Sequence, residues 1–254
     1  MPGPLISVIT VALNAKDGLI RTMQSVRNQG QITYEHIVVD GGSTDGSVEF
    51  LQQQKDDRVV WSSGPDGGIY EAMNKGIDRA RGNWLYFLGA GDTLFDGIFP
   101  RVLPYLNDNL AVLIGNVRHA DGSLFPGTFS DQIFISNTVH HQGAFYNRHV
   151  FDRFRYNTSL RALSDYELNL MLYLKQKRYQ IVDIDMCTCE LDGISSQLLR
   201  SLIESNHIKY KHLSFWRASY FGAVLGWRYL LIYLRQIKHG YVCKVKKPVF
   251  HFML

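Results

Sequence analysis

Asp92 follows a continuous apolar run and stands just beyond its carboxyl end. The run covers residues 84–88 and gives way to Gly89-Ala90-Gly91 before the carboxylate. Such a run predicts a buried strand, and in an open α/β sheet ligands bind in the crevice beyond the strand ends. The small residues would let a diphosphate and a cation such as Mg²⁺ or Mn²⁺ approach the backbone. The alternative is that Asp92 caps the following helix.

Two earlier segments end in the same way. Residues 5–14 finish on Asn14, and residues 34–45 carry Asp40 and Asp45 near their end. A carboxylate at a strand end can accept hydrogen bonds from a base or a ribose. Three strand ends that present Asn or Asp therefore predict a nucleotide site with a metal. The glycine pair after Asp40 is not a G-x-G-x-x-G fingerprint, and the sequence contains no P-loop.

Asp165 begins a predicted helix over residues 165–177 and is the second acid that could do chemistry. The positive end of a helix dipole favours a charged carboxylate, and such a group can act as a general base. Ser164 precedes it at a capping position and has capping-box spacing with Glu167. The alternative is that Asp165 only stabilises the first turn of its helix.

Three neighbouring polar residues, His140, His141 and Gln142, precede a strand-like stretch at residues 143–146. Imidazole groups can contact phosphate or an acceptor hydroxyl, so these residues are candidates for either contact. The alternative is that the histidine pair is structural.

Alternating strands and helices are predicted through the first half of the chain. Apolar runs rich in β-branched residues predict strands, and apolar residues three to four apart predict helices. The strands are predicted at residues 5–13, 34–40, 58–62 and 83–88, and the helices at 16–29, 48–54 and 69–81. This alternation is typical of a parallel sheet flanked by helices. Further strands are predicted at 111–119 and 179–191, followed by a helical remainder.

Composition and charge indicate a globular protein with unevenly distributed charge. The 254 residues are 46% hydrophobic and 20% charged, which argues against intrinsic disorder. Residues 196–254 hold ten Lys or Arg and one Glu, a charge of +9, whereas the first 195 residues carry −5. This asymmetry predicts an acidic catalytic body and a basic tail that faces an anionic partner. Three cysteines are too few for a disulfide framework and indicate a reducing compartment.

The tail is both basic and strongly apolar. Residues 213–234 are rich in aromatic and aliphatic side chains, and Arg217, Arg228 and Arg235 follow at spacings of 11 and 7, nearly on one line of a helix. This pattern predicts a helix at the interface of an anionic membrane, and the position of Arg228 argues against a spanning helix. The alternative is a helix docked on the core. Because apolar residues dominate, lipid is a better partner than nucleic acid.

Taken together, residues 4–200 resemble the inverting glycosyltransferases of family 2, which have the GT-A fold, an α/β Rossmann-like and mainly parallel sheet flanked by helices. Residues 38–47 (VVDGGSTDGS) are similar to the signature of the family, and residues 64–76 (GPDGGIYEAMNKG) resemble a segment of small bacterial polysaccharide transferases. The resemblance implies that Asp40 contacts the uracil or ribose of the donor. The nucleotide-sugar contacts that it implies are Val11, Asn14, Asp40, Gly41, Asp66, Gly67, Asn74, Lys75, Ala90 and Gly91.

The resemblance extends to the two acids. Residues 89–92 stand at the metal-binding D-x-D position of the family, where Asp92 alone remains to hold Mn²⁺ or Mg²⁺. Residues 163–168 resemble the later Glu-Asp motif, with Ser164 in place of Glu and Asp165 retained as the catalytic base.

Two further motifs complete the resemblance. Residues 192–196 match a mobile loop that closes on the donor, so Ser195 joins the acceptor or phosphate candidates. Residues 197–200 carry part of the Q-x-x-R-W signature, but Ser201 replaces Trp, which argues against a processive polymerase.

These implications define an expected function. The chain is expected to move a hexose from a nucleotide diphosphate sugar, UDP-linked by preference, to a hydroxyl of a polyprenyl-diphosphate-linked saccharide of an O-antigen, capsule or colanic-acid type polysaccharide. Residues 1–200 would form the catalytic domain and residues 201–254 a basic amphipathic helical tail. The enzyme would lie in the cytoplasm, peripheral on the inner face of the plasma membrane, and a homo-oligomer is compatible with this arrangement. One rival is a nucleotidyltransferase, which would need an early Gly-rich basic loop; the other is a catalytically silent sugar-nucleotide-binding subunit, which the single Asp92 favours.

Overall fold

A computed structural model describes residues 5–30, 32–190 and 198–238. In these residues nine strands form one sheet that α-helices flank, which confirms the predicted α/β class. The strands are β1 (Ile6–Ala12), β2 (Tyr34–Asp40), β3 (Val59–Ser63), β4 (Trp84–Phe87), β5 (Thr93–Leu94), β6 (Val112–His119), β7 (Leu124–Phe125), β8 (Ala144–Asn147) and β9 (Tyr179–Cys189). The helices are α1 (Lys16–Arg27), α2 (Ser47–Gln52), α3 (Ile69–Arg79), α4 (Ile98–Val102), α5 (Ser164–Leu174), α6 (Leu198–His212) and α7 (Phe215–Lys238).

The first four strands form the parallel part of the sheet, in the order β3-β2-β1-β4. All of β2 and nearly all of β1 is buried, as expected for strands covered on both faces. The register pairs Asp40 with both Ala12 and Ser63, so three strands end side by side. After β4 the backbone continues along β1, because the N–H of Ala90 donates to the Val11 carbonyl at 3.2 Å. This contact carries the turn before Asp92 to the same edge.

The second half extends the sheet in the order β4-β8-β6-β9-β5. Strand β6 pairs parallel with β9 and antiparallel with β8, and the short strands β5 and β7 add antiparallel pairs that the sequence did not predict. A 3-10 turn at His141–Gly143 packs against β4, β6 and β9. The extension therefore places the predicted polar loop near the end of the parallel strands.

Helix α5 begins differently from its prediction. Ser164 is the first helical residue and Leu163 is the N-cap, without a side-chain cap. The Ser164 hydroxyl accepts instead from the N–H of Asn157 at 2.7 Å, and the Glu167 carboxylate contacts His212 Nε2 at 2.7 Å. The predicted capping box is therefore wrong, because both side chains are used by segments distant in sequence.

The carboxyl-terminal helices pack on the α/β body through one face. The predicted boundary after residue 200 falls inside α6, which buries Ile208 and Lys209. In α7 the Phe221 ring stacks on Phe134 at 5.2 Å, and the Arg217 guanidinium lies 4.7 Å from the same ring. This face of α7 is docked on the core, as in the alternative to a membrane-interface helix, and Arg217 lies on this face.

The opposite face of α7 is exposed and aromatic. The exposed fractions run from 62% to 80% for Phe215, Trp216, Tyr220 and Trp227. Across residues 5–30, 32–190 and 198–238, no helix combines the length and the apolar character needed to cross a membrane.

Candidate active site

Asp40 organises the turn after β2. Its carboxylate accepts from the N–H groups of Gly42 and Ser43 at 3.0 and 2.9 Å, from the Ser63 hydroxyl at 2.6 Å and from the Ser43 hydroxyl. Burial alone would raise the pKa of Asp40, but these hydrogen bonds together lower it below the ordinary value. Asp40 thus shapes the loop, and its contact with the base or ribose stays a prediction.

Asn14 joins the ends of the first two strands. Its backbone is left-handed (φ 49°), a conformation that Asn tolerates better than most residues. Its N–H donates to the Ser43 hydroxyl at 2.7 Å, and its side-chain oxygen accepts from the N–H of Thr44 at 2.9 Å. Asp45 accepts from the N–H of Lys16 at 2.8 Å. The loops after β1 and β2 are therefore one cross-linked surface.

The glycine-rich loop before α3 lies against this surface. A Cβ at Gly41 would stand 3.0 Å from the Asp66 carboxylate, so a larger residue here would require the Asp66 side chain to shift. The second carboxylate oxygen of Asp66 accepts from the N–H of Gly68 at 2.9 Å. On the other side, the Arg161 guanidinium donates to the Gly67 carbonyl at 3.1 Å. The structure therefore brings together Gly41, Asp66 and Gly67, and their contact with a nucleotide sugar stays a prediction.

Asn74 and Lys75 of α3 are engaged within the chain. The Asn74 amide donates to the Tyr156 carbonyl and accepts from the Tyr156 N–H, both at 2.9 Å. Lys75 forms an ion pair with Glu71 at 2.9 Å. Asn74 thus holds residue 156 against α3, a structural role that the sequence did not predict. A nucleotide contact by either side chain stays a prediction.

Asp92 lies at the end of a tightly packed turn and is only 8% exposed. Its carboxylate accepts from Gln142 Nε2 at 2.7 Å and from the N–H of Glu190 at 3.3 Å. Burial raises the pKa of this carboxyl, and the hydrogen bond from Gln142 opposes the effect. Thr22 of α1, which the sequence did not single out, donates to the Asp92 carbonyl at 2.7 Å and accepts from the N–H of Gly91 at 3.0 Å. Helix α1 therefore fixes the turn.

The oxygen atoms beside Asp92 fit a hard divalent cation. Gln142 Oε1 is buried and has no hydrogen-bond partner among the described residues, while the same amide contacts Asp92 through Nε2. Carboxylate and amide oxygens are ligands that Mg²⁺ and Mn²⁺ accept, with phosphate oxygens or water in the remaining positions. Within the described residues, no group of three or more His, Cys, Asp or Glu could hold an ion alone. Asp92 would therefore share any ion with a ligand such as a diphosphate.

Asp165 occupies the first turn of α5 and is 7% exposed. One carboxylate oxygen accepts from Asn137 Nδ2 at 2.9 Å and lies 3.6 Å from His141 Nδ1. The other lies 3.4 Å from the Tyr70 hydroxyl, which also accepts from the N–H of Ser164 at 2.9 Å. Both oxygens of the Asp165 carboxylate are therefore contacted by neighbouring side chains at the amino-terminal end of α5.

A series of hydrogen bonds between side chains orients the Asn137 amide that donates to Asp165. The Tyr146 hydroxyl donates to the Asn169 side-chain oxygen at 2.9 Å, and the Asn169 Nδ2 donates to the Asn137 oxygen at 3.2 Å. This second bond leaves Asn137 Nδ2 to face Asp165. Asn137, Tyr70 and Asn169 were missed in the sequence, because no motif separates a buried amide or phenol in a site from one in the core.

His141 and Gln142 connect the two acids. His141 lies beside Asp165, and its neighbour Gln142 donates to Asp92, so both carboxylates border one short turn. His140 is different, because burial lowers its pKa to about 3 and it is neutral at physiological pH. The contacts of His140, His141 and Gln142 with phosphate or an acceptor hydroxyl stay predictions. Ser195 lies outside the described residues.

Comparison with known sequences assigns the family. Residues 7–177 match Glycosyl transferase family 2. The chain belongs to this family. A glycosyltransferase of PGL/p-HBAD biosynthesis from Mycobacterium bovis is 30% identical over 182 residues, which cover 68% of this chain and 71% of the relative. TuaG of Bacillus subtilis, named for teichuronic acid biosynthesis, is 40% identical over 92 residues, which cover 35% of this chain and 36% of TuaG.

Solved structures show that this family 2 member has the GT-A fold. The chain superimposes on S. aureus TarS in complex with UDP-GlcNAc with a TM-score of 0.67 at 15% identity, over 87% of this chain and 71% of TarS 1-349. It superimposes on the mannosyltransferase PcManGT from Pyrobaculum calidifontis, in complex with GDP-Man and Mn²⁺, with a TM-score of 0.63 at 14% identity, over 83% and 64% of the two chains. The predicted family and fold are therefore confirmed, and the chain is a glycosyltransferase.

Proposed function

We propose that this glycosyltransferase is an inverting hexosyltransferase that uses a nucleotide diphosphate sugar, UDP-linked by preference, and a lipid-linked saccharide of a bacterial surface polysaccharide. The observation that carries this proposal is the position of Asp165 and Asp92 on either side of His141 and Gln142. One acid can therefore face an acceptor hydroxyl while the other faces the diphosphate. The relatives support the substrate classes, since TuaG is named for teichuronic acid biosynthesis and TarS was solved with UDP-GlcNAc.

In the proposed reaction Asp165 accepts the proton of the acceptor hydroxyl as its oxygen attacks the anomeric carbon. The bond between that carbon and the diphosphate oxygen breaks, and the nucleoside diphosphate leaves with the electron pair. Asn137 and Tyr70 hold the Asp165 carboxylate in place during this step. A divalent cation bound at Asp92 and Gln142 would neutralise charge on the leaving diphosphate. A single displacement inverts the anomeric configuration.

A groove beside the start of α5 has the chemistry of the proposed acceptor. It has a volume of about 800 Å³ and is lined by the apolar residues Leu160, Leu199 and Ile203 and by Arg200 and His207. Glu204 also lines it, but its carboxylate is occupied by three backbone N–H groups. Apolar walls beside the Arg200 guanidinium suit a polyprenyl diphosphate, so we propose that the acceptor approaches along this groove.

The reaction is tested with the purified protein, Mn²⁺, a polyprenyl-diphosphate-linked monosaccharide and a panel of UDP-hexoses and GDP-mannose. We expect transfer from one donor, and we expect an α-linked donor to give a β-linked product, read from the anomeric proton coupling in the NMR spectrum. An α-linked product would contradict inversion. Binding of a nucleotide sugar without transfer or hydrolysis would favour the silent subunit.

We also propose that the exposed face of α7 lies on the inner surface of the plasma membrane, which would keep the enzyme peripheral in the cytoplasm. Aromatic side chains on a basic helix favour the interface of an anionic bilayer. The double variant Trp216→Ala/Trp227→Ala is therefore expected to lower partitioning into anionic vesicles at least about tenfold, measured by flotation. The control variant Leu124→Ala/Val60→Ala removes exposed apolar side chains from the sheet and should bind normally. Equal binding by all three proteins would contradict the proposal.

A further inference from the structure

Helix α5 receives its amino-terminal cap from a distant carboxylate. Its N-cap residue, Leu163, has no side-chain oxygen to offer. Glu204 of α6 accepts instead from the N–H groups of Arg161, Ala162 and Leu163 at 2.8, 2.9 and 3.0 Å. The residue is 8% exposed, so water does not compete freely for these contacts. The Leu163 N–H belongs to the N-cap and the other two precede the helix, so Glu204 fixes the segment that enters α5 and places a carboxylate near the positive end of its dipole.

These contacts continue into the residues that hold Asp165. The next N–H, of Ser164, donates to the Tyr70 hydroxyl at 2.9 Å, and the same hydroxyl lies 3.4 Å from the Asp165 carboxylate. Four successive backbone N–H groups before Asp165 are therefore held, three by Glu204 and one by Tyr70. The position of the Asp165 backbone follows from this anchoring.

The anchored segment also touches the donor side of the site. Arg161 donates through its N–H to Glu204 and through its guanidinium to the Gly67 carbonyl at 3.1 Å. Gly67 belongs to the glycine-rich loop whose Asp66 packs against Gly41. One residue thus joins α6 to the loop proposed to contact the nucleotide sugar.

Helix α6 is itself fixed near Asp165 by a second contact. The buried Lys209 Nζ donates to the Ile135 carbonyl at 2.7 Å and to the Ser205 hydroxyl at 2.9 Å. Ile135 lies two residues before Asn137, which donates to Asp165. The whole of α6 lies beyond residues 7–177, the part of the chain that matches the family.

We propose that Glu204 is a positioning residue for Asp165, so that α6 completes the active site from outside the matched family segment. This inference rests on the proposed function, since it takes Asp165 as the base. A small displacement of a reacting group can cost about a hundredfold in rate, which is why the anchoring of the Asp165 backbone matters for turnover.

The test replaces Glu204 with Gln. The amide has similar size but only one acceptor oxygen, and its NH₂ group would face N–H donors. We expect kcat, per folded enzyme, to fall about 10- to 100-fold while the Kd for UDP changes less than about twofold. The matched control is Glu35→Gln, which alters another buried carboxylate that accepts from two backbone N–H groups, of Arg81 and Gly82, and lies at the far end of β2. It should lower Tm but leave kcat per folded enzyme unchanged.

Two further variants separate the outcomes. A wild-type kcat for Glu204→Gln, or equal losses in Glu204→Gln and Glu35→Gln, would overturn the positioning role, while an inactive Asp165→Asn would leave the proposed function standing. A fully active Asp165→Asn would overturn both. If Glu204→Gln does not fold, Glu204→Asp decides, because it keeps the charge but shortens the reach. A kcat reduced by about threefold or more supports the role, and a wild-type kcat overturns it.

Discussion

Replacing Asp165 with Asn is expected to lower kcat by about 10²- to 10⁴-fold, the loss typical of a missing general base. The amide keeps the size of the side chain, its oxygen can accept from Asn137, and its NH₂ group can donate to the Tyr70 hydroxyl, so the fold of α5 should persist. It cannot take the proton of the acceptor hydroxyl, so only the rate of the chemical step should fall. The measurement is the steady-state rate of sugar transfer at saturating donor and acceptor, with UDP affinity measured by calorimetry.

The matched control for this variant is Asp131→Asn. Asp131 also lies in the first turn of a helical segment and accepts from the Tyr173 hydroxyl at 2.7 Å, but it is exposed and does not contact the two acids. This variant should transfer sugar at the wild-type rate. If Asp165→Asn retains that rate, another group removes the proton and the proposed mechanism fails.

The parallel half of the fold could be predicted from local patterns. Strand β2 was predicted with the observed bounds, Tyr34–Asp40, because it is buried throughout and its β-branched run is uninterrupted. Parallel strands end at a common edge, so the sequence alone predicts that Asp40 and Asp92 lie on one side of the sheet. The site residues near Asp165 depend instead on the antiparallel extension, which brings residues 137–142 beside α5. Single-sequence patterns do not specify such pairing.

The capping box at Ser164 shows why the contacts of α5 and α7 with distant segments could not be predicted. Its spacing with Glu167 is correct, yet the Ser164 hydroxyl accepts from Asn157, and Glu204, about forty residues away in sequence, caps the helix. A local signal was present, but a long-range contact replaced it. The same limit applies to α7, where helical spacing aligned the arginines but could not show that Arg217 lies over Phe134.

Replacing Asp92 with Asn is expected to separate function from stability. In the presence of UDP, Mn²⁺ affinity should fall at least about tenfold and kcat by about 10²-fold or more, because a charge that stabilises the leaving group is lost. The Tm without metal should change little, because burial already disfavours the ionised carboxyl, the amide oxygen still accepts from Gln142, and only the longer contact from the Glu190 N–H is lost. Mn²⁺ binding is measured by electron paramagnetic resonance, and Tm by calorimetry.

The control here is Asp96→Asn, which changes an exposed carboxylate four residues further along the chain. It should match the wild-type protein in Mn²⁺ binding, kcat and Tm. Full transfer activity in excess chelator, together with an active Asp92→Asn, would remove the cation from the mechanism. Asp92 would then serve only the turn that Gln142 and Thr22 hold. A loss of Mn²⁺ binding without a loss of rate would instead show an ion that binds at Asp92 but takes no part in departure of the diphosphate.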